Sequence, residues 1–304
     1  MINLTLKQLR YFEALAQHAH FGRAAEASSI SQPALSMQIK ELEETLGAQL
    51  FERNARQVKL TRQGEDVALR IREILARVDD LEDLTRAAQG DFVGRLRLGV
   101  IPTIAPYLLP AILRALGTAH PGLDLHVRET LTQKLVSELL DGQLDAAILA
   151  LPISETSLSE MPLLDENFVL IRPKTQSADP VPDQDALRKM RLLLLEEGHC
   201  FRDQALSFCN IPSALPRDGL DGSSLSTLVQ MVGAGIGVTL IPEMAMGVET
   251  RSADVSVARF PAPQPSRRIG LLWRKSSPIT GQLQTLGAIV QSAANEVLKT
   301  ARRA

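Results

Sequence analysis

The chain has 304 residues and a net charge of −2; its length suits about two domains, and it supplies no overall basic field, so any nucleic-acid binding must come from a local patch. Its two cysteines are too few for a secreted disulfide scaffold or a four-thiolate zinc site. The N-terminus lacks the pattern of a secretory signal and no apolar run reaches the roughly 18 residues of a membrane span, so the chain is expected in the cytoplasm with no membrane partner.

Leu6, Leu9, Phe12, Leu15 and Ala16 follow helical spacing and predict a first helix, with Thr5 as its N-cap. An alanine-rich helix follows at 21–27, then a turn at 28–30. A third helix over 31–43 is capped by Ser31, and its first turn tolerates Pro33 because the missing N–H has no partner there. Two short helices joined by a tight turn have the layout of a helix-turn-helix. On the third helix Gln32, Ser36 and Gln38 carry amide or hydroxyl groups that can reach base edges in a major groove, while Leu35, Ile39 and Leu42 form the stripe held against the domain. Residues 51–64 read as a hairpin wing in which Arg53, Arg56, Lys59 and Arg62 outweigh Glu52 and can meet phosphates. Taken singly these are ordinary surface charges; beside the helix pair they read as a DNA contact. The candidate DNA-binding residues are therefore Ser31, Gln32, Pro33, Ser36, Gln38, Arg53, Arg56 and Lys59.

Several stretches together carry a resemblance: Leu9-Arg10-Tyr11-Phe12, His20-Phe21-Gly22-Arg23-Ala24-Ala25, Ser31-Gln32-Pro33-Ala34-Leu35-Ser36, Ile39-Lys40-Glu41-Leu42-Glu43, Leu46-Gly47 and Leu50-Phe51-Glu52-Arg53. They resemble the winged helix-turn-helix of LysR-type transcriptional regulators through the first sixty-odd residues. The resemblance implies a homo-oligomer, dimer or tetramer, that acts on promoter double-stranded DNA and works with RNA polymerase.

From Glu65 to about Gln89 there is no proline or glycine, and Ile71, Ile74, Val78 and Leu81 recur at steps of three and four with Val67, Leu75 and Leu84 beside them. That is the seam of a coiled coil, and Arg70, Arg72, Glu73, Arg77, Asp79, Asp80, Glu82 and Asp83 leave the other faces charged. The plain alternative is an amphipathic helix packed on its own domain. A charged helix with one apolar stripe between two domains reads as a dimer linker, ending at Gly90 and Gly94.

Beyond residue 94 β-rich runs at 95–101, 123–128, 144–150, 168–172, 192–195, 237–242 and 269–274 alternate with helical stretches, which argues for an α/β architecture. Proline-containing polar stretches at 172–185 and 261–266 are the expected crossings between two lobes. Such a pair of lobes resembles the periplasmic-binding-protein-like effector domain of the same family. The expected organisation is thus a winged helix-turn-helix domain over 1–64, a linker helix over 65–90 and a two-lobed α/β effector domain over 95–304. Lobe I takes about 95–171 and 268–304, and lobe II about 172–267.

Cys200 and Cys209 lie nine residues apart. If the segment between them is helical, as Gln204, Ala205 and Leu206 favour, their Cα atoms stand roughly 13 to 14 Å and half a turn apart. A disulfide needs about 4.4 to 6.8 Å, so bonding the pair would melt the helix and turn a local chemical event into a change of shape. The alternative is two small buried hydrophobes.

The segment from Glu196 to Cys209 resembles the redox segment of the peroxide-sensing members of the LysR family, although Phe201 and Ser207 depart from its commonest pattern and the stretch from Cys209 to Asp221 diverges. The stretch from Gly99 to Pro110, with Thr103 in it, and the stretches at 225–235 and 267–271 extend the resemblance. It implies that Cys200 is the peroxidatic residue and Cys209 the resolving one, and that the pair senses hydrogen peroxide through a reversible disulfide. His199 and Arg202 would shape the pocket, Thr103 and Thr132 would offer hydroxyls to peroxide, and Asp203 would fix Arg202. Thr130 competes with Thr132 for its role. A free thiol has a pKa of about 8.5, so Arg202 and a helix N-terminus at Cys200 are the expected sources of thiolate stabilisation. Cellular thiol reductants would reset the switch, and antioxidant genes would be its targets, with activation the expected sign. His18, His20, His120 and His126 have no metal-ligand spacing with the cysteines, so no metal and no cofactor is expected. Competing readings are a LysR-type regulator that answers a small-molecule co-inducer, with incidental cysteines, and a thiol peroxidase fused to a DNA-binding domain.

Overall fold

The computed structural model describes residues 4–54, 57–87, 94–211 and 221–303. These fall into two compact units.

The N-terminal unit begins with α1 (Leu6–His18), α2 (Phe21–Ala27) and α3 (Gln32–Leu46), followed by the hairpin β1 (Phe51–Asn54) and β2 (Gln57–Leu60) and the long helix α4 (Arg62–Ala87). Thr5 caps α1 in a reciprocal box with Gln8, and Ser31 caps α3 as its sequence position predicts. Leu9, Phe12 and Leu15 meet Leu35, Ile39 and Leu42 in one core, and Phe12 stacks at a tilt on Phe51, with centroids 5.0 Å apart, so the wing is anchored to the first helix. Glu43 fastens the start of the wing by accepting from the N–H groups of Leu50 (2.8 Å) and Phe51 (3.1 Å).

Helix α4 starts at Arg62, three residues before the expected position, because the Thr61 hydroxyl caps it by accepting from the Gly64 N–H at 2.9 Å. A Cβ on Gly64 would lie 2.1 Å from the Leu50 carbonyl oxygen, so only glycine allows this close approach. The expected coiled-coil seam is divided. Ile71 and Leu75 are buried with Ala68 in the core of their own unit, whereas Ile74 and Leu81 are exposed. The plain amphipathic reading therefore holds for the first half of the helix. The side chains of Asp79, Asp80, Glu82, Asp83 and Leu84, and residues Gln89 and Gly90, lie outside the described residues.

In the C-terminal unit β3 (Gly94–Val100), α5 (Ala105–Ala119), β4 (Leu123–Glu129), α6 (Thr132–Leu140) and β5 (Ala146–Leu151) alternate in the βαβ manner, and β3 pairs in parallel with both β4 and β5. The long strand β6 (Leu158–Pro173) follows, then α7 (Gln184–Lys189), β7 (Leu192–Leu195), α8 (Cys200–Phe208), β8 (Asp221–Gly222), α9 (Leu225–Gly233), β9 (Val238–Pro242), α10 (Met246–Glu249), β10 (Val255–Arg259), β11 (Ser266–Arg274) and α11 (Thr280–Arg303). Among the described residues the nine-stranded sheet runs β4-β3-β5-β11-β6-β9-β7-β8, with β10 also on β6. Strand β6 changes partner within its length. Residues up to Asn167 pair with β11, while Phe168 onward pair with β9 and β10. This change of partner falls inside a strand, a few residues before the proline-containing stretch at 172–185. Leu96, Leu98 and Ala146–Ala150 carry one end of the core, and Val169–Ile171, Leu192–Leu195, Leu228, Val229 and Val232 the other.

Candidate functional site

Three chain segments converge on a small pocket: the turn after β3, the start of α6 and the start of α8. Its walls are Ile101, Pro102, Thr103, Leu131, Thr132, His199, Cys200 and Phe201. About 170 Å³ of space lies among these side chains, so the pocket is narrow. Gly198 brings the chain into α8 at φ +94°, where a Cβ would stand 3.0 Å from Leu131 in the pocket wall.

The pocket is polar where a small oxygen ligand would need it. Thr132 Oγ1 is buried without a hydrogen-bond partner, an uncommon state for a hydroxyl. Thr103, 3 % exposed, accepts from Arg267 Nη1 through Oγ1 at 2.7 Å, so its own proton is left to donate. His199 precedes α8, half-buried; burial pushes its imidazole below the usual histidine value, against an upward pull from Glu196. Cys200 is the first residue of α8, so a negative sulfur would sit at the positive end of the helix.

Both cysteines are in the dithiol form. Cys200 is half-buried in the pocket wall, and Cys209 closes the far end of α8 with no exposed surface, its N–H bonded to Ala205 O at 3.1 Å. Helix geometry keeps the two Cα atoms roughly 13 Å apart. α8 is held at both ends by aromatic contacts, Phe201 against Phe168 and Phe208 against Phe260, with centroids 4.9 and 5.1 Å apart. Bonding the two sulfurs would have to break this arrangement.

Thr103, Thr132, His199 and Cys200 are thus brought together, while Thr130 is not among the lining residues. Arg202 and Asp203 depart from expectation. Arg202 is two positions along α8, about 160° round the helix from Cys200. Its Nη1 donates to Leu195 O at 2.7 Å and lies 3.0 Å from Asp221 Oδ2, so it ties α8 to the neighbouring strands without lining the pocket. Asp203 is exposed, and Asp221 takes the part expected of it. The guanidinium nearest the pocket is Arg267, which lies behind the wall against Thr103 and Phe201 and which the sequence marks only as part of a resembling stretch. It is fully buried, bonds Thr103 through Oγ1 and the carbonyl, and pairs with Glu166 at 2.8 Å. Burial pushes the Glu166 carboxyl above the usual range, and Arg267 pulls it back. The available signal is strand alternation: Arg267 and Ile269 face inward while Ser266 and Arg268 face out. Among the described residues no group of His, Cys, Asp or Glu could hold a metal ion.

In the N-terminal unit Ser31, Gln32 and Pro33 are exposed at the start of α3, with Ser31 Oγ accepting from the Ala34 N–H at 3.4 Å. Ser36 and Gln38 lie on opposite flanks of the helix, about 160° apart. Gln38 Nε2 donates to Glu41 at 2.8 Å, and the fully outward position belongs to Met37, 56 % exposed. Gln32 and Ser36 share a flank and Gln38 does not, so the three cannot form one row facing a groove. Lys59 is exposed on β2 opposite Glu52; Arg56 and the Arg53 side chain lie outside the described residues.

Residues 6–65 match the family described as bacterial regulatory helix-turn-helix protein, lysR family, and residues 89–295 match the LysR substrate binding domain. A protein of Streptomyces viridosporus named probable hydrogen peroxide-inducible genes activator is 44 % identical over 298 residues, covering 96 % of this chain and 95 % of that protein. The Escherichia coli K12 DNA-binding transcriptional dual regulator OxyR is 37 % identical over 292 residues, with 95 % of each chain covered. Among solved structures, a full-length OxyR variant of Pseudomonas aeruginosa superimposes with a TM-score of 0.77 at 36 % identity, covering 95 % of each chain. A hydrogen-peroxide-bound cysteine-to-serine mutant of Corynebacterium glutamicum OxyR gives 0.69 at 35 %, covering 98 % of this chain and 95 % of that one. With matches along nearly all of both units, the chain belongs to the LysR family of transcriptional regulators, in its OxyR group.

Proposed function

We propose that this protein is a DNA-binding transcriptional regulator that senses hydrogen peroxide through a reversible Cys200–Cys209 disulfide and controls antioxidant genes. The observation that carries the reading is the pocket itself: Cys200 shares a wall with His199, the hydroxyl of Thr103 and the unpartnered hydroxyl of Thr132, and the second thiol is nine residues away at the other end of the same helix. The Cys200 thiolate attacks one peroxide oxygen. The O–O bond breaks, hydroxide leaves and takes a proton to become water, and the sulfur, oxidised by two electrons, becomes a sulfenic acid. The Cys209 thiol then attacks that sulfur, forming the S–S bond and releasing a second water as the S–O bond breaks. Cellular thiol reductants return both sulfurs to thiols, and the output of the oxidised state is its altered DNA contact rather than bulk removal of peroxide.

The loss of α8 changes how the effector domains pack, and α4 carries the change to the readers of promoter DNA in a homo-oligomer, dimer or tetramer, that works with RNA polymerase. We place this assembly in the cytoplasm, where its DNA lies. The division into reader (1–64), linker (65–90) and effector domain (95–304, lobe I about 95–171 and 268–304, lobe II about 172–267) is part of the proposal, with β6 as the first crossover between lobes. Promoter footprinting with reduced and peroxide-treated protein tests it. The expected result is a shifted footprint on oxidation, lost in Cys200→Ser, with Cys209→Ser stopping at the sulfenic acid. An unchanged footprint with both thiols still reactive would leave a co-inducer regulator standing, and sustained peroxide consumption with thiol present would point to a peroxidase.

A further inference from the structure

Phe201 directly follows Cys200 on the first turn of α8, and its ring, 3 % exposed, forms part of the pocket wall. Two side chains from different strands meet that ring. Phe168 of β6 approaches it nearly edge-on, at 74° between ring planes, and Arg267 of β11 places its Cζ 5.5 Å from the ring centroid. Arg267 is itself immobilised by Glu166 and Thr103 and shielded from water. A guanidinium within about 6 Å of an aromatic face is attracted by the ring quadrupole, most strongly when both are desolvated. The ring therefore ties the turn that carries Cys200 to a fixed cation on a central strand.

We infer that Phe201 is a positioning residue that delays closure of the Cys200–Cys209 bond, because α8 melts only once the ring leaves Arg267. The inference rests on the function proposed above. Formation of the sulfenic acid rearranges bonds at one sulfur and asks no movement of the ring. Closure brings two sulfurs from about 13 Å into bonding contact, which requires the helix to open. Opening precedes closure, so a tenfold larger opening constant gives a tenfold faster closure. Phe201 thus sets the pace of the second step, the change of shape that follows detection.

The test uses the full chain with mono-, di- and trifluorinated phenylalanine at position 201, which keep the ring and progressively weaken its negative face. Sulfenic-acid formation is read separately with a dimedone-type trap in the Cys209→Ser background, so that any change in the first step is not counted as a change in closure. Disulfide closure in the chain with both thiols is expected to accelerate along the series, reaching about tenfold for the trifluorinated ring, and Phe201→Leu to move the same way. A closure rate that is flat along the series, beside a disulfide that still forms, means that the ring only fills space and overturns this inference alone. A chain with an unmodified ring that forms no disulfide with peroxide overturns the proposed function and the inference with it.

Discussion

Tyr107 on α5 donates its hydroxyl to Glu249 of α10, 142 residues away in the chain, at 2.6 Å, and Ser226 at the start of α9 donates to the other oxygen of the same carboxylate at 2.5 Å. Tyr107 and Glu249 are each 8 % exposed, so the carboxylate depends on these two donors. Tyr107→Phe removes one of them and is expected to cost about 1–3 kcal/mol in a denaturant titration, without changing the rate at which Cys200 reacts. The pH dependence has a definite sign. Burial, then the Glu249 hydrogen bond, push the tyrosine well above its ordinary 10.0. Its contribution is therefore fully present below pH 10 and is lost as pH rises from there toward the raised value. An alkaline melt in which wild type and Tyr107→Phe decline in parallel would contradict this.

His199 gives the opposite slope. Burial lowers its proton affinity in the folded chain, so the unfolded chain binds more protons once pH falls through 6.5. Stability from this group is present above 6.5 and lost as pH falls through the lowered folded value. His199→Gln is expected to flatten that part of the stability profile between about pH 5 and 7. A profile as steep as wild type's would place the loss elsewhere.

What can be read in advance follows from how local each signal is. The run Leu192–Leu195 is buried throughout, so an uninterrupted apolar stretch marks a central strand. The front half of β6 carries Glu160, Pro162, Asp165 and Glu166 and does not read as a strand, yet it pairs along β11, a partner a hundred residues later. The same distance hides the Glu166–Arg267 pair and with it the cation that lies behind Thr103 and Phe201. Cys200 and its neighbours are legible because the motif is contiguous. Arg202 misleads because a position two residues along a helix points its side chain about 160° away.

Two glycines test the pocket wall. Gly198→Ala must hold a side chain at φ +94° and push Leu131 from 3.0 Å, so a loss of about 1–2 kcal/mol and a slower sulfenic-acid step are expected together. Gly47 caps α3 at φ +64° with open space around its Cβ position. Gly47→Ala should show a comparable loss of stability and an unchanged peroxide reaction. Equal peroxide rates in the two variants would separate Gly198 from the site.

The divided stripe of α4 makes the last test. Ile71 is 3 % exposed within its own unit's core, so Ile71→Ala is expected to cost about 2–5 kcal/mol and to lower the melting temperature at any protein concentration. Leu81 is 62 % exposed and Ile74 46 %, one heptad apart on the same face. Substitution of an exposed residue usually moves stability by no more than about 0.5 kcal/mol. If this face is the seam between two copies, Leu81→Lys buries a charge in the assembly while leaving each reader folded. Sedimentation velocity should then show smaller species with Leu81→Lys and with Ile74→Lys, each with near-normal secondary structure, and DNA affinity should fall because two linked readers are no longer held together. A Leu81→Lys protein that sediments like wild type and binds its promoter equally well would remove α4 from the oligomer contact, and with it the route by which melting of α8 reaches the DNA.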